Sequence, residues 1–470
     1  MKYVVFGAGA CSVRIEYQSI QLGFKILCYI DNDQSKWYKK RLGLEILPPQ
    51  EVLEKNYDRI LIASEKHHEK MTEQLVALGI KRENILIFSH LKREDLQGGR
   101  CLNYRHDNFE AKTQTLDSWI ETFELGDVIS DDYSHVTMET KSHYSLISDL
   151  LKAYELAKEN AKDVSAPYQT GQNWEQFLKN TRPEFYRSLK ENKSNLAPLL
   201  ANFFRNDLST GIFGGKHGFD DYVKHPDMSA GFRSLFNIWA YSLGEAPIKE
   251  LDSPKVGNPY GHLIEDSLVH PNNFLNHYRG RYISQLVGEL ARPVIAEIGA
   301  GYGGLAYYLK KFSQSCCYVN FDLPENLLIS SYYLSIIYPE LKTHYYTGEE
   351  DLRDLIAEFD IVLLPHFCLP QLPDLSIDCF INTISLSEMS FETINEYLKQ
   401  IQRTTKSYFY HENLINNGQA YTYYPIDCFP ELKDFQLLAR QPSRWPFFSA
   451  ASHEHCHVEQ LFLRKNASAI

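Results

Sequence analysis

The 470-residue sequence predicts an α/β protein with two separate parallel sheets joined by a mainly helical stretch, and three observations carry that prediction. The first is Val294 to Gly304, V-I-A-E-I-G-A-G-Y-G-G, a short apolar run fit for a buried parallel strand that breaks into glycines. The residues after it place Leu305, Tyr308, Leu309 and Phe312 at helical spacing, so the glycines sit where strand hands over to helix. The second is a similar strand and glycine turn at the N-terminus, M-K-Y-V-V-F-G-A-G. The third lies between them, where from about 91 to 290 the pattern turns mainly helical and shows no repeat. Three segments follow: 1–95, a small α/β domain; 96–285, a helical linker and cap; and 286–470, the larger α/β domain.

In the first segment Lys2 to Gly9 reads as a strand running into G-A-G-A-C-S, followed by a helical stretch to Leu22. Ile26 to Asp33 is a second strand ending in acid, Asp58 to Ser64 a third, Met71 to Leu78 a helix and Asn84 to Phe88 a last strand. This is about half of a dinucleotide-binding fold, with Gly7 and Gly9 suited to a phosphate turn and Asp31 to a ribose. The third glycine of the fingerprint is missing, Val13 standing in its region. The segment resembles the short Rossmann-like, nucleotide-sugar-binding domains attached to some sugar-modifying enzymes, which implies a nucleotide or nucleotide-sugar ligand at Gly7, Gly9 and Asp31. A degenerate unit used for packing or dimerisation fits the residues as well, which leaves a homo-oligomer open.

In the middle segment Ser142 is a candidate N-cap for a helix whose apolar face is Ile147, Leu150, Leu151, Tyr154 and Ala157. Phe232, Leu235, Phe236, Trp239 and Leu243 form a second stripe, with Trp174 to Leu189 and Leu199 to Phe204 between them. Such stripes predict a cap over the larger sheet. Gly211 to Gly218 reads as a flexible loop touching a substrate, and Gly257-Asn-Pro-Tyr-Gly-His262 as a tight connection near the strand ends. His262, His270 and Tyr278 are therefore further candidates for substrate contact.

Around the central turn, Glu297 ends its strand with a carboxylate suited to a cationic amine, and Tyr318-Val-Asn-Phe-Asp322 is a second strand whose terminal acid suits two ribose hydroxyls. Gly299, Gly301 and Gly303 let a ligand lie against the backbone and the helix N-terminus. An amino-acid end and a ribose occur together in S-adenosylmethionine (SAM), and E-I-G-A-G-Y-G-G resembles the first motif of the class I SAM-dependent methyltransferases. Asp360 to His366 reads as the next strand, then Asp378 to Met389, then a helix on Phe391, Ile394, Leu398 and Ile401. Ser407 to Asn413 follows, and Phe435 to Ala439 with Val458 to Arg464 make a final antiparallel pair. Glu297, Asp322, His366, Glu388 and His411 then fall at strand ends, where such sheets gather their functional groups.

The series E-I-G-A-G-Y-G-G, F-D-L-P-E-N-L, N-T-I-S-L-S-E-M and Y-F-Y-H-E-N sharpens the resemblance. It is similar to the sugar O-methyltransferase family found among surface-polysaccharide genes of bacteria, over roughly residues 170–470. The resemblance implies a class I methyltransferase Rossmann-like sheet with a helical cap, SAM held by Glu297, Gly299, Gly301, Asp322, Leu323, His366 and Ser385, and a sugar or nucleotide-sugar acceptor for capsule or lipopolysaccharide. Methyl transfer is an in-line displacement, so the acceptor hydroxyl must be aligned and must lose a proton. His411 suits that base by its ordinary pKa, with Glu388 the alternative or an orienting partner; a histidine merely capping a strand end is equally open. Glu388 with Glu412-Asn413 is also similar to the Mg2+ site of catechol-type O-methyltransferases, with Glu where those carry Asp. His453, His455 and His457 alternate and would share a face of an extended segment, which fits a metal row or an exposed sheet face.

Composition narrows the classes. A formal charge of −12 without an offsetting basic run argues against nucleic acid as a partner. No apolar stretch is long enough to cross a bilayer and no signal-peptide layout opens the chain, so a cytoplasmic protein without a transmembrane segment is expected. The nine cysteines follow neither zinc nor secreted-disulfide spacing. Two other functions stay open on the sequence: a nucleotide-sugar-binding scaffold with an inactive methyltransferase domain, and a methyltransferase for a non-sugar small molecule. The Asn-Pro-Pro-Tyr signature of N-methyltransferases is missing, S-L-S-E-M standing in its place, which favours oxygen as the acceptor.

Overall fold

The computed structural model describes residues 2–9, 12, 15, 25–41, 44–64, 67–87, 126, 128–129, 131–135, 141–191, 193–224, 232–233, 235–236, 239–240, 243, 246–414, 426, 429–443 and 457–465. Contacts divide the chain into two units: Met1–Thr115 with Glu412–Asp427 and Leu437–Leu461, and Leu116–His411 with Cys428–Gln436 and Phe462–Ile470.

The first unit contains a six-stranded sheet: β1 (Lys2–Phe6), β2 (Lys25–Ile30), β3 (Lys40–Arg41), β4 (Leu44–Leu47), β5 (Arg59–Ile62) and β6 (Ile85–Ile87) in the order β3-β4-β2-β1-β5-β6. All pairings are parallel except the short β3–β4 edge. β1 and β5 are apolar throughout their interiors, as strands covered on both faces are. Its helix α1 (His68–Ala77) buries Met71 and Leu75. The sheet holds two strands more on the β2 side than the sequence suggests, β3 and β4: K-R at Lys40–Arg41 and L-E-I-L between Gly43 and Pro48 are too short to announce themselves.

In the second unit the middle segment is helical, with α2 (Lys141–Asn160), α3 (Gln172–Thr181), α4 (Pro183–Glu191), α5 (Leu196–Ala201) and α6 (Gly215–Lys224). It also carries a small antiparallel sheet that the sequence reading lacks: β7 (Val128–Ile129), β8 (Gly261–Ile264) and β9 (Ser267–Val269). The tight connection expected at Gly257 to His262 therefore runs into a hairpin, turned by Glu265 at φ 52°. Gly211 to Gly218 is half loop and half helix, since α6 begins at Gly215. After α7 (Pro271–Leu286) come β10 (Val294–Ile298), α8 (Gly304–Phe312), β11 (Cys317–Asp322), α9 (Pro324–Ile337), β12 (Thr343–Tyr345), α10 (Leu352–Glu358), β13 (Ile361–Pro365), β14 (Ile377–Thr383), α11 (Phe391–Thr404), β15 (Thr405–Leu414), β16 (Phe435–Pro442) and β17 (His457–Arg464). The eight-stranded sheet has the order β12-β13-β11-β10-β14-β15-β17-β16, its last three strands contributing to both units.

The sheet is Rossmann-like: β10 is central and the order reverses between β10 and β14. Val294, Ala296 and Ile298 of β10 join Cys317, Val319 and Phe321 of β11 in one core, together with Ile394, Leu398 and Ile401 of α11. Alternation sends Ile295, Glu297, Tyr318, Asn320 and Asp322 to the other face. Proline at the first position starts α9, and Ser390 caps α11 by accepting from the Thr393 amide at 3.1 Å. The side chain of Lys310 ties down the loop after α8, donating to Gln314 O at 2.9 Å and Cys316 O at 2.6 Å just before β11.

Helices α7 and α8 cross closely at Gly280, where a Cβ would lie 2.6 Å from Tyr308 Cβ. Gly280→Ala tests that crossing. Helix propensity alone would stabilise the variant by about 1 kcal/mol, but the overlap costs about 1–3 kcal/mol, so thermal unfolding is expected to come at a lower temperature than in the wild type.

Candidate functional site

The glycine turn forms at the carboxyl end of β10, the side where an open sheet with reversed strand order leaves a crevice. Gly299, Gly301 and Gly303 have φ of 78°, 61° and 88°, in the left-handed region that side chains resist. The turn is also tightly walled. A Cβ at Gly299 would lie 2.4 Å from Ser385 Oγ, beyond β14, and one at Gly301 would lie 3.0 Å from Ile212 Cγ2, from the helical segment. The loop expected to touch a substrate thus sets Ile212 on the glycine turn.

Two buried carboxylates flank this turn. Glu297 is 1% exposed, and Tyr318 Oη donates to its Oε2 at 2.6 Å. Burial pushes its pKa up to about 7, against the Tyr318 hydrogen bond and the charge of Arg279 on α7. Asp322 is 5% exposed and accepts three hydrogen bonds: Gly301 N–H on Oδ2 at 2.9 Å, and Leu323 N–H at 2.7 Å and Asn326 Nδ2 at 3.1 Å on Oδ1. Burial raises it to about 6, opposed by these hydrogen bonds and by Arg182. An ammonium would match the first carboxylate and a diol the second. The positive-φ glycines leave the backbone between them without side chains, so these residues fit an adenosyl amino acid.

His366 begins the turn after β13, its Nδ1 3.3 Å from Asp322 O and its Nε2 2.7 Å from Tyr168 O. It ties the β11 end to the helical segment, and burial lowers its pKa. Asn382 Nδ2 donates to Ser385 Oγ at 2.6 Å and to Ile298 O at 3.0 Å, which pins Ser385 against Gly299. Between them Ile384 has φ 73°, a conformation costly for a β-branched side chain and concentrated at functional sites.

Glu388 stands apart from its sequence assignment. β14 ends at Thr383, so Glu388 lies in the one-turn helix Leu386–Glu388 rather than at a strand end. Its carboxylate makes no hydrogen bond with the described residues, and burial pushes its pKa up to about 7. His411 is likewise not at a strand end, because β15 continues to Leu414. It is 2% exposed and its ring packs near those of Phe409, Phe429 and Phe462, the last stacked at 5.8 Å. Glu412 accepts from Ser443 Oγ, and Glu412 and Asn413, adjacent inside the strand, face opposite sides. The positions of Glu388 and Glu412-Asn413 thus depart from the strand-end placement on which the Mg2+ expectation rested. No group of three His, Cys, Asp or Glu among the described residues is arranged to hold a metal. His453 and His455 lie outside the described residues.

The other candidates serve the fold around the site. His262 Nδ1 is 2.9 Å from Gly126 O, Tyr278 stacks on Tyr282, and His270 Nδ1 accepts the Asn272 N–H to cap α7. Burial among Phe204, Phe213 and Tyr260 drives His270 down to about 3, so it is neutral. In the first unit Gly7 has φ 105°, and Asp31 joins it to the next loop: Oδ2 accepts Ala8 N–H at 2.7 Å and Lys36 Nζ at 3.1 Å, and Oδ1 accepts Asp33 N–H at 2.9 Å. Gly9 has open space where a side chain would stand. Sequence reasoning missed Arg182, Arg279, Tyr318, Asn326 and Ile384. Tyr318 had a signal, its even spacing from Asp322 along one strand; the others had none that spacing reveals.

Residues 1–86 match the family described as C2185-like, N-terminal, which ends within β6. No curated protein matches the chain by sequence. Among solved structures the chain is similar to the cyclase SpnF, at 12% identity over 40% of this chain and 80% of that one, TM-score 0.30. It is similar to geranyl diphosphate methyltransferase in complex with SAM, at 8% identity over 40% and 85%, TM-score 0.30. A SAM dependent methyltransferase from Aquifex aeolicus shares 13% identity over 40% and 92%, TM-score 0.26.

The raised carboxyls predict how stability changes with pH. A carboxyl whose folded pKa lies above its unfolded value stabilises the fold while protonated, and that contribution is lost as pH rises through the folded pKa. For Glu297 the window runs from 4.5 to about 7. Glu297→Gln is expected to remove this loss, so the ligand-free variant should gain in melting temperature relative to the wild type as pH is raised across that window, measured by calorimetry.

Proposed function

We propose that the chain is a SAM-dependent O-methyltransferase whose acceptor is a sugar hydroxyl, on a nucleotide sugar or a nascent surface glycan, acting in the bacterial cytoplasm. One observation carries the cofactor: two buried carboxylates, Glu297 and Asp322, on either side of a glycine turn with left-handed backbone. Glu297 would hold the amino-acid end, Asp322 the ribose, and Leu323, His366 and Ser385 would bound the pocket. Bound SAM supplies a methyl group on a cationic sulfur that passes to the acceptor oxygen.

The chain's own work is to orient the acceptor, keep water out and take its proton. Glu388 suits the last task better than His411. Its carboxylate has no hydrogen-bond partner among the described residues, and a pKa of about 7 keeps a fraction ionised at neutral pH while making it a stronger base than an ordinary carboxylate. His411 is packed between aromatic rings inside a strand, which suits a structural role. The preference for oxygen rests on S-L-S-E-M after β14, and the sugar on the resemblance of the four motifs. The N-terminal unit, with Gly7, Gly9 and Asp31, would bind a nucleotide or a nucleotide sugar.

Two outcomes test this reading. Glu388→Gln is expected to abolish transfer of labelled methyl to nucleotide sugars or extracted surface glycans while leaving affinity for SAM nearly intact; a variant with normal rate would remove Glu388 from the chemistry. The ligand's ammonium favours ionised Glu297, so below its pKa of about 7 binding must release a proton. Affinity for S-adenosylhomocysteine should therefore rise several-fold from about pH 6 to about pH 7.5, and Glu297→Gln should flatten that rise.

A further inference from the structure

The helical segment meets the glycine turn through one buried guanidinium. Arg182, between α3 and α4, is 1% exposed. Its Nη1 donates to Asn326 Oδ1 at 3.1 Å and its Nη2 to Thr210 O at 2.9 Å. Each bond leads to one wall of the turn. Asn326 donates to Asp322, whose other oxygen receives the Gly301 amide. Thr210 lies two residues before Ile212, the side chain that covers Gly301.

Stability alone explains this arrangement poorly. A cation so buried loses its hydration, and an apolar side chain would fill the site at less cost. Its Nε has no hydrogen-bond partner among the described residues. The nearby Glu325, 2% exposed, accepts Lys158 Nζ at 2.9 Å and Tyr186 Oη at 3.2 Å on Oε1, so its charge is shared with Lys158 rather than hydrogen-bonded to Arg182.

We propose that Arg182 is a positioning residue of the cofactor site, acting through Asn326 on Asp322 and through Thr210 on Ile212, so that the helical segment sets affinity for the ribose end of the ligand. This rests on the SAM reading. Without Arg182, Asn326 loses the contact that orients its amide, and Asp322 loses its nearest cation. The other groups facing Asp322 are Glu297 and Tyr318 from the sheet, Tyr397 from α11, Asn326 from the start of α9, and His366, whose ring meets its carbonyl; Glu325 stands on the far side of the chain of contacts, beside Arg182. None of these carries a fixed positive charge, which Arg182 does.

Calorimetric titration of the full chain with S-adenosylhomocysteine and with adenosine tests the proposal. Arg182→Met and Asn326→Ala should each weaken both ligands by about tenfold. The double variant should lose little more than either single one, because both break the same chain of contacts. Arg182→Lys should recover part of the affinity, and affinity for adenosine, which lacks the ammonium that Glu297 would meet, should fall off at a higher pH in Arg182→Met than in the wild type, a shift that mere loosening of the fold would not give. Unchanged affinity in a folded Arg182→Met, or fully additive losses, would overturn the proposal. Should Arg182→Met not fold, Asn326→Ala decides: unchanged affinity there overturns it equally. A wild type that binds neither ligand overturns the SAM reading and this inference with it, whereas a binding wild type with unaffected variants overturns the inference alone.

Discussion

The second unit depends on keeping two carboxylates buried at the ends of neighbouring parallel strands. Glu297 and Asp322 sit on one face of β10 and β11, where neither would remain charged without help, and burial raises both pKa values. The help is local and directional. Tyr318 donates to one; two backbone amides and Asn326 serve the other. Because one of those amides belongs to Gly301, the conformation of the glycine turn and the state of Asp322 are a single problem. The left-handed glycines are the backbone half of its solution.

The remaining architecture follows from that constraint. Ser385 packs where Gly299 lacks a side chain, held by Asn382 at the cost of a strained Ile384. His366 joins the Asp322 carbonyl to Tyr168, and Arg182 joins Asn326 to Thr210, so the helical segment reaches the same few atoms from two directions. It is thus a wall of the site as much as a cover. Glu388 has no comparable hydrogen-bond support among the described residues, and burial alone raises its pKa.

What the sequence made legible was whatever the backbone itself demands. The turn from Val294 to Gly304 could be read because strand, left-handed turn and helix each leave a local mark, and Asp322 followed from its position at the end of the next strand. The buried helix α9 was not legible, since a helix covered on every side has no polar face to set its period. The bounds of β14 and β15 were misjudged for a related reason: polar residues at Ser385 to Glu388 and at His411 to Asn413 look alike in sequence, yet one set lies past its strand and the other inside it. Arg182 was hidden altogether, for its partner Asn326 stands 144 positions away and no spacing rule connects them.

The most direct test of the account is calorimetric titration of the full chain with SAM at about pH 6.5, repeated in buffers of different ionisation enthalpy. One-site binding with net release of protons is expected, because Glu297 must ionise to receive the ammonium. Absence of binding at millimolar ligand, or binding with no proton exchange, would contradict it.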